Sequence, residues 1–166
     1  MNFDITHEGR TTLAVDYAGA IDLGYPAAIA GKTLKGAAKA QVATLADGYR
    51  TQLDNASAGK LVEYRLKEEI ARDPANASEA ELAMIDREAA ARGVDRTTLL
   101  ADIDAKATAY RQIVLLIGAI EAEANATIYA VQDDADDLEA TVMAALHDAR
   151  TEADAAFLEA QTLLAS

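Results

Sequence analysis

Apolar and small residues recur along the second half of this chain at helical spacing. From Thr97 to Leu164 it runs sixty-eight residues with one glycine, Gly118, and no proline. Tyr110, Ile113, Ile117, Ile120, Ala124, Ile128, Val131, Ala135, Leu138, Val142, Ala145, Ala149, Ala153, Ala156, Ala160 and Leu163 follow one another at steps of three and four. Such steps hold side chains on one face of an α-helix, and sustained alternation is the coiled-coil signature. Two places with consecutive fours loosen the left-handed supercoil, so a nearly straight bundle is expected. The segment IVLLIGAI, 113–120, is apolar nearly all round and predicts burial on every side. Beyond Ala144 the seam is mostly alanine, which buries little area per residue and predicts a need for partners.

Asp133, Asp134, Asp136 and Asp137 interrupt this seam with like charges at i,i+3 and i,i+4. Aspartate is a poor helix-interior residue and a good N-cap. Two outcomes are open here: a helical hairpin, or one rod of about 100 Å at 1.5 Å per residue. With no glycine or proline to mark a turn, a continuous or merely kinked helix is the expectation.

The rest of the chain is more broken. Phe3 and Ile5 alternate with polar neighbours, Glu8-Gly9 fits a turn, and Leu13, Val15 and Tyr17 alternate again. That predicts a β-hairpin or extended arm, which must pair with another chain or pack on the helices. Gly19, Gly24 and Tyr25-Pro26 then break the chain, and residues 1–30 do not read as helix. Over 27–54 a helix carries the stripe Ala38, Val42, Leu45, Tyr49 and Leu53, before a hinge at 54–59 (DNASAG). Leu61, Tyr64, Leu66 and Ile70 mark an amphipathic helix ending at Asp73-Pro74. Ser78 and Glu81 form a capping box for a helix that stops at Gly93, and Asp95 or Thr97 starts the long stretch. The fold class is therefore mainly α: a helical bundle with one long C-terminal helix or helical hairpin, and a short extended or β N-terminal arm. Its parts are an arm over 1–30, a bundle over 31–132 and an acidic helical extension over 133–166.

Alanine supplies much of the 51% hydrophobic fraction, while aromatics are only 5%. That favours narrow helical packing over a thick core. Cysteine is absent, which excludes disulfides and thiolate metal sites. The N-terminus MNFDITHEGR lacks the basic and apolar regions of a secretory signal. The longest wholly apolar run, Ile113 to Ile117, is far short of a membrane span, so no membrane partner is expected. The net charge of −13 is uneven. Residues 1–60 hold six basic and six acidic side chains, 61–132 hold eight and thirteen, and 133–166 hold one and nine, a balance of −8 at the end. Such a tail repels phosphate, so no nucleic-acid partner is expected.

Candidate chemistry is sparse. Gly31-Lys32-Thr33 matches the end of a phosphate-binding loop, but Pro26 stands where the first glycine belongs and no apolar strand precedes it. His7 and His147 are the only histidines, and neither has the second histidine a transition-metal site needs. The Asp133–Asp137 cluster lacks the glycine and terminal glutamate of a calcium loop. Glu121 and Glu123 flank Ala122 and face different sides, so they form no acid/base couple. No cofactor, metal or catalytic residue is expected.

The segment from Lys60 to Ile128 resembles an alanine-rich helical module of tailed-bacteriophage and prophage proteins of alphaproteobacteria. The Leu61/Tyr64/Ile70 helix ending at Asp73-Pro74, the Ala91-Arg92-Gly93 break and the helix from Tyr110-Arg111 to Ile120-Glu121 carry the resemblance. It covers about 40% of the chain. It implies a non-enzymatic structural protein of the virion (tail fibre, neck, tail tip or head decoration), assembled in the host cytoplasm. Tyr110, Ile113, Ile117, Ile120, Ile128, Val131, Leu138 and Val142 would form the seam of a homo-oligomer. Phe3, Ile5, Leu13, Val15 and Tyr17 would attach it to another virion or tail protein. The alternatives are a tail-assembly chaperone and an acidic host-directed inhibitor.

Overall fold

A computed structural model describes residues 1–53 and 57–165, with the side chains of 58 and 163–165 outside the description. Asp54, Asn55 and Ala56 of the expected hinge, and the Leu163 side chain of the seam, therefore lie outside the described residues. The architecture is mainly α: a two-stranded N-terminal sheet precedes six helices among the described residues. In chain order they are β1 (Phe3–His7), β2 (Arg10–Val15), α1 (Tyr17–Asp22), α2 (Ala27–Leu53), α3 (Ala58–Arg72), α4 (Glu79–Arg92), α5 (Arg96–Ala130) and α6 (Leu138–Ala165). Contacts divide the chain into two compact units, Met1–Arg50 with Leu116–Phe157, and Thr51–Leu115 with Leu158–Ser166.

In the first unit, β1 and β2 pair antiparallel, with His7 opposite Arg10 and Ile5 opposite Thr12. Glu8 and Gly9 both have positive φ, as a two-residue type I′ turn requires. A register shift between Phe3 and Ile5 accompanies the positive φ of Ala14, whose N–H donates to Asp4 Oδ1 at 2.9 Å. Helix begins earlier than the alternation of Leu13, Val15 and Tyr17 predicts. Asp16 caps α1 by accepting from the Gly19 N–H at 2.8 Å, so Tyr17 opens a helix instead of continuing a strand. Pro26, whose carbonyl accepts from Ile29 and Ala30, then starts α2.

The stripe of α2 is realised: Ala38, Val42 and Tyr49 are buried and Leu45 is half-buried. It packs with the later part of α5 and with α6, since Val42, Ala46, Ile117, Ile120, Ala149 and Ala153 line one common void no larger than a water molecule. The seam of α5 and α6 is equally plain. Ile113, Ile117, Ile120, Ala124, Ile128, Leu138, Val142, Ala145, Ala149, Ala153, Ala156 and Ala160 are all buried.

Two expectations about the long stretch are corrected. The helix does not continue past the aspartates. α5 ends at Ala130, residues 131–137 turn, and α6 starts at Leu138, which is the hairpin alternative. Four aspartates within five positions weaken the helix enough for packing on α2 to decide. The segment 113–120 is also not buried on every side: Leu115 is 74% exposed and Leu116 45%. With one flank of α5 open, only the side facing its neighbours is covered. α5 is nevertheless long and apolar enough, by length and composition, to cross a membrane.

In the second unit, Ser57 caps α3 and Ser78 caps α4, where the capping box is complete. Gly93 closes α4 with φ 72°, a left-handed conformation natural to glycine. Asp95 opens α5 by accepting from the Thr98 N–H at 2.7 Å. Ile85, Ala89, Leu99 and Leu100 form the core here, with Ile70, Ala71 and Ile103 packed against it. Tyr64 and Leu66, expected on the apolar face of α3, are instead about half exposed. The face that α3 turns inward carries Lys67, which joins Glu63 and Glu88, each at 2.6 Å.

Candidate functional site

The turn between α5 and α6 is the most highly organised polar feature of the first unit. Gly31, Lys35, Ala38 and Val42 form one stripe of α2 at steps of four, three and four, and all four are buried. At Gly31 an added Cβ would overlap the Asp133 carbonyl oxygen and come within 2.6 Å of Leu138 Cδ2. Glycine is therefore required there by the close approach of the turn. One helical turn further on, Lys35 is only 5% exposed. Its Nζ donates to the Val131 carbonyl, just past the end of α5, and forms an ion pair of 2.8 Å with Asp133 Oδ1. A lysine at this point satisfies a carbonyl that a helix end leaves without an internal partner.

Around the same turn Tyr17 is half-buried. Burial, then the nearby charges of Asp134, Glu139 and Asp136, push its phenol above its ordinary range. Farther along α2, Tyr49 donates to Asp154 of α6 and packs on Phe157, with ring centroids 5.5 Å apart. Burial and that hydrogen bond push the Tyr49 phenol up to about 12. Arg50 joins Glu121 of α5 at 2.7 Å and Asp47 at 2.9 Å, and both bonds hold its guanidinium above the usual range.

The second unit carries exposed ion pairs and exposed apolar side chains. Lys67 and Lys60 hold the Glu63 carboxyl down at about 2, chiefly through hydrogen bonds. Arg96 lowers Asp86 and Lys67 lowers Glu88 in the same way. Arg111 reaches Glu68, tying α5 to α3. On the outside, Val62 and Leu66 stand one turn apart on α3, at 55% and 52% exposure, and Met84 on α4 is 67% exposed.

The residues expected to act divide as follows. Of the seam, Ile113, Ile117, Ile120, Ile128, Leu138 and Val142 are buried within the single chain, and Tyr110 and Val131 are half-buried. They are thus core residues before they are contacts with anything else. In the arm, Phe3 and Ile5 are buried, Val15 and Tyr17 half-buried, and Leu13 is 69% exposed. Arg10 clamps the base of that arm: its guanidinium lies 5.0 Å over the Tyr25 ring and donates to the Leu23 carbonyl at 2.8 Å.

Gly31-Lys32-Thr33 lies inside α2, where Thr33 Oγ1 donates to the Ile29 carbonyl, so its N–H groups serve the helix rather than a phosphate. His7 lies 3.8 Å from Glu8, and His147 is exposed on α6. Glu121 is engaged by Arg50, while Glu123 faces out. Among the described residues, no group of three or more histidine, aspartate or glutamate side chains is arranged to hold a metal ion. Sequence reasoning missed Lys35 and took Gly31 only as the end of a phosphate-loop match. The signal was their place on the α2 stripe, where a charge or a missing side chain demands a polar or very close neighbour.

No protein-family model, no curated protein and no solved structure matches this chain.

Proposed function

We propose that this chain is a non-enzymatic structural component of a bacteriophage particle that works through protein–protein contacts. One observation carries the contact reading. Val62, Leu66, Met84 and Leu115, all in the second unit, lie outside its core at exposures from 52% to 74%. Val62 and Leu66 stand one turn apart on one face of α3, and large apolar side chains exposed together mark interaction sites. The phage assignment rests on the resemblance over Lys60–Ile128, which includes α4 and nearly all of α3 and α5. In this reading the second unit makes a contact with another virion or tail protein. Of the five residues expected to attach the arm, Leu13 is the most exposed.

A tail-assembly chaperone is the second reading. The exposed Met84 favours it, since a flexible thioether adapts to varied apolar client segments. Mass spectrometry of purified particles and of assembly intermediates separates the two. A fixed copy number in mature particles supports the structural role. Presence only in intermediates supports the chaperone, and absence from both overturns the phage assignment. The contact surface has its own test: Val62→Ser with Leu66→Ser is expected to abolish incorporation without lowering the melting temperature. Normal incorporation of that variant would move the contact elsewhere.

A further inference from the structure

We infer that the α5–α6 hairpin is one of two forms, the other being a single continuous helix that exchanges α6 with a second copy of this chain. Four observations point the same way. The seam runs through the turn in unbroken helical register: Ile128, Val131, Ala135 and Leu138 follow at steps of three, four and three. A turn that has no future as helix has no need of that register. Residues 131–137 contain neither glycine nor proline, and the non-glycine residues with positive φ among the described residues are Glu8 and Ala14, both elsewhere. Straightening therefore meets no backbone residue that must leave a left-handed conformation. The turn is already held by short-range bonds, Ala135 N–H to the Gln132 carbonyl at 3.3 Å and Leu138 N–H to the Ala135 carbonyl at 3.1 Å. Finally, α2 closes on the turn through Gly31 and Lys35, so part of what holds the hairpin lies outside the turn's own residues.

The geometry of the exchange follows from the seam. In the hairpin, Ile117 and Ile120 of α5 meet Ala149 and Ala153 of α6 beside Val42 of α2. Two straightened helices lying antiparallel restore those contacts between chains. The two-fold axis then stands normal to the plane of the pair, so both copies of α2 fall on one side of it. Each long helix must therefore present one continuous face along α5 and α6, which the three-and-four spacing across 131–137 supplies. Opposing the straight form are like-charge pairs among Asp133, Asp134, Asp136 and Asp137, together with loss of the Lys35 clamp. The inference does not depend on the phage assignment.

The test compares two variants of equal charge. Asp134→Ala with Asp136→Ala raises helix propensity in the turn, while Asp134→Gly with Asp136→Gly lowers it. Light scattering against concentration should show the alanine variant dimerising at least about tenfold more tightly than the glycine variant. The chain has no cysteine, so spin labels placed by Glu123→Cys and Asp148→Cys report the fold directly. Both positions are exposed, and they lie nearly opposite by the register of the hairpin. After refolding with excess unlabelled chain, the alanine variant's dimer should give an intrachain separation of about 38 Å, twenty-five residues of helix. Equal association of the two variants overturns the inference. So does a dimer whose labels keep the short hairpin distance, which would be an ordinary surface dimer. Gly31→Ala, which crowds the turn from α2, should raise the dimer fraction in the same assay.

Discussion

Leu115 and Ile117 stand two residues apart in one apolar run and have opposite fates. Ile117 is 1% exposed and Leu115 74%. Truncating Ile117 to alanine removes buried methylenes and leaves a cavity, so a loss of about 2–5 kcal/mol is expected. Leu115→Ala should stay within about 0.5 kcal/mol. Chemical denaturation of both variants checks this, and equal midpoints would refute the seam's orientation. Tyr49 is a second case where one atom matters. Tyr49→Phe deletes the hydroxyl that donates to Asp154 and keeps the packing on Phe157, so a loss near 1 kcal/mol is expected at neutral pH.

At the scale of elements, boundaries follow from local chemistry wherever a cap or a breaker is written into the chain. Ser78 Oγ accepts from the Glu81 N–H, while the Ser78 hydroxyl at 2.6 Å and the Ser78 N–H at 2.8 Å donate to the Glu81 carboxylate, and those last two bonds hold that carboxyl below its usual range. Ser78→Ala should lower stability by about 1 kcal/mol and speed amide exchange at the start of α4 first. Unchanged exchange there would show that packing, not the cap, fixes that end. The opposite kind of boundary lies at 131–137. No glycine or proline marks it: four aspartates weaken the helix locally, and α2 supplies the constraint from about a hundred residues away, the Lys35–Val131 bond closing a separation of 96.

For the whole molecule, pH separates the two units. Glu63, Glu81, Asp86, Glu88 and Asp95 of the second unit all have lowered carboxyls. Their contribution is present above the unfolded value and is lost as pH falls through the folded one. For Glu63 that window runs from 4.5 down to about 2. Glu81, Asp86 and Asp95 are exposed while Glu63 and Glu88 are half-buried, so salt should shrink the effect most at the first three. In the first unit Tyr49 and Tyr17 are raised. Their contribution is present below 10 and, for Tyr49, is lost as pH rises towards about 12. Hydrogen exchange should therefore show acid loosening residues 57–115 first and alkali loosening α2 against α6 first. The reverse order would refute the assignment of these groups, and Tyr49→Phe should remove most of the alkaline step.

Periodicity and punctuation made most of the fold legible. Helical spacing named the buried face of α2, α5 and α6 almost residue by residue, because a side chain's face on a helix depends only on its position in the repeat. The capping box and Gly93 placed the ends of α4, because orphan N–H and carbonyl groups must find partners close by in the chain, and Asp73-Pro74 placed the end of α3. Tertiary structure decided what spacing leaves open. The same seam fits a rod or a hairpin, and the choice fell to a glycine and a buried lysine on a distant helix. Likewise, the apolar run 113–120 reads identically on all its sides, and only packing determined that Ile117 is covered and Leu115 is not. A repeat specifies which residues share a face, but contact between segments far apart in sequence specifies what that face meets.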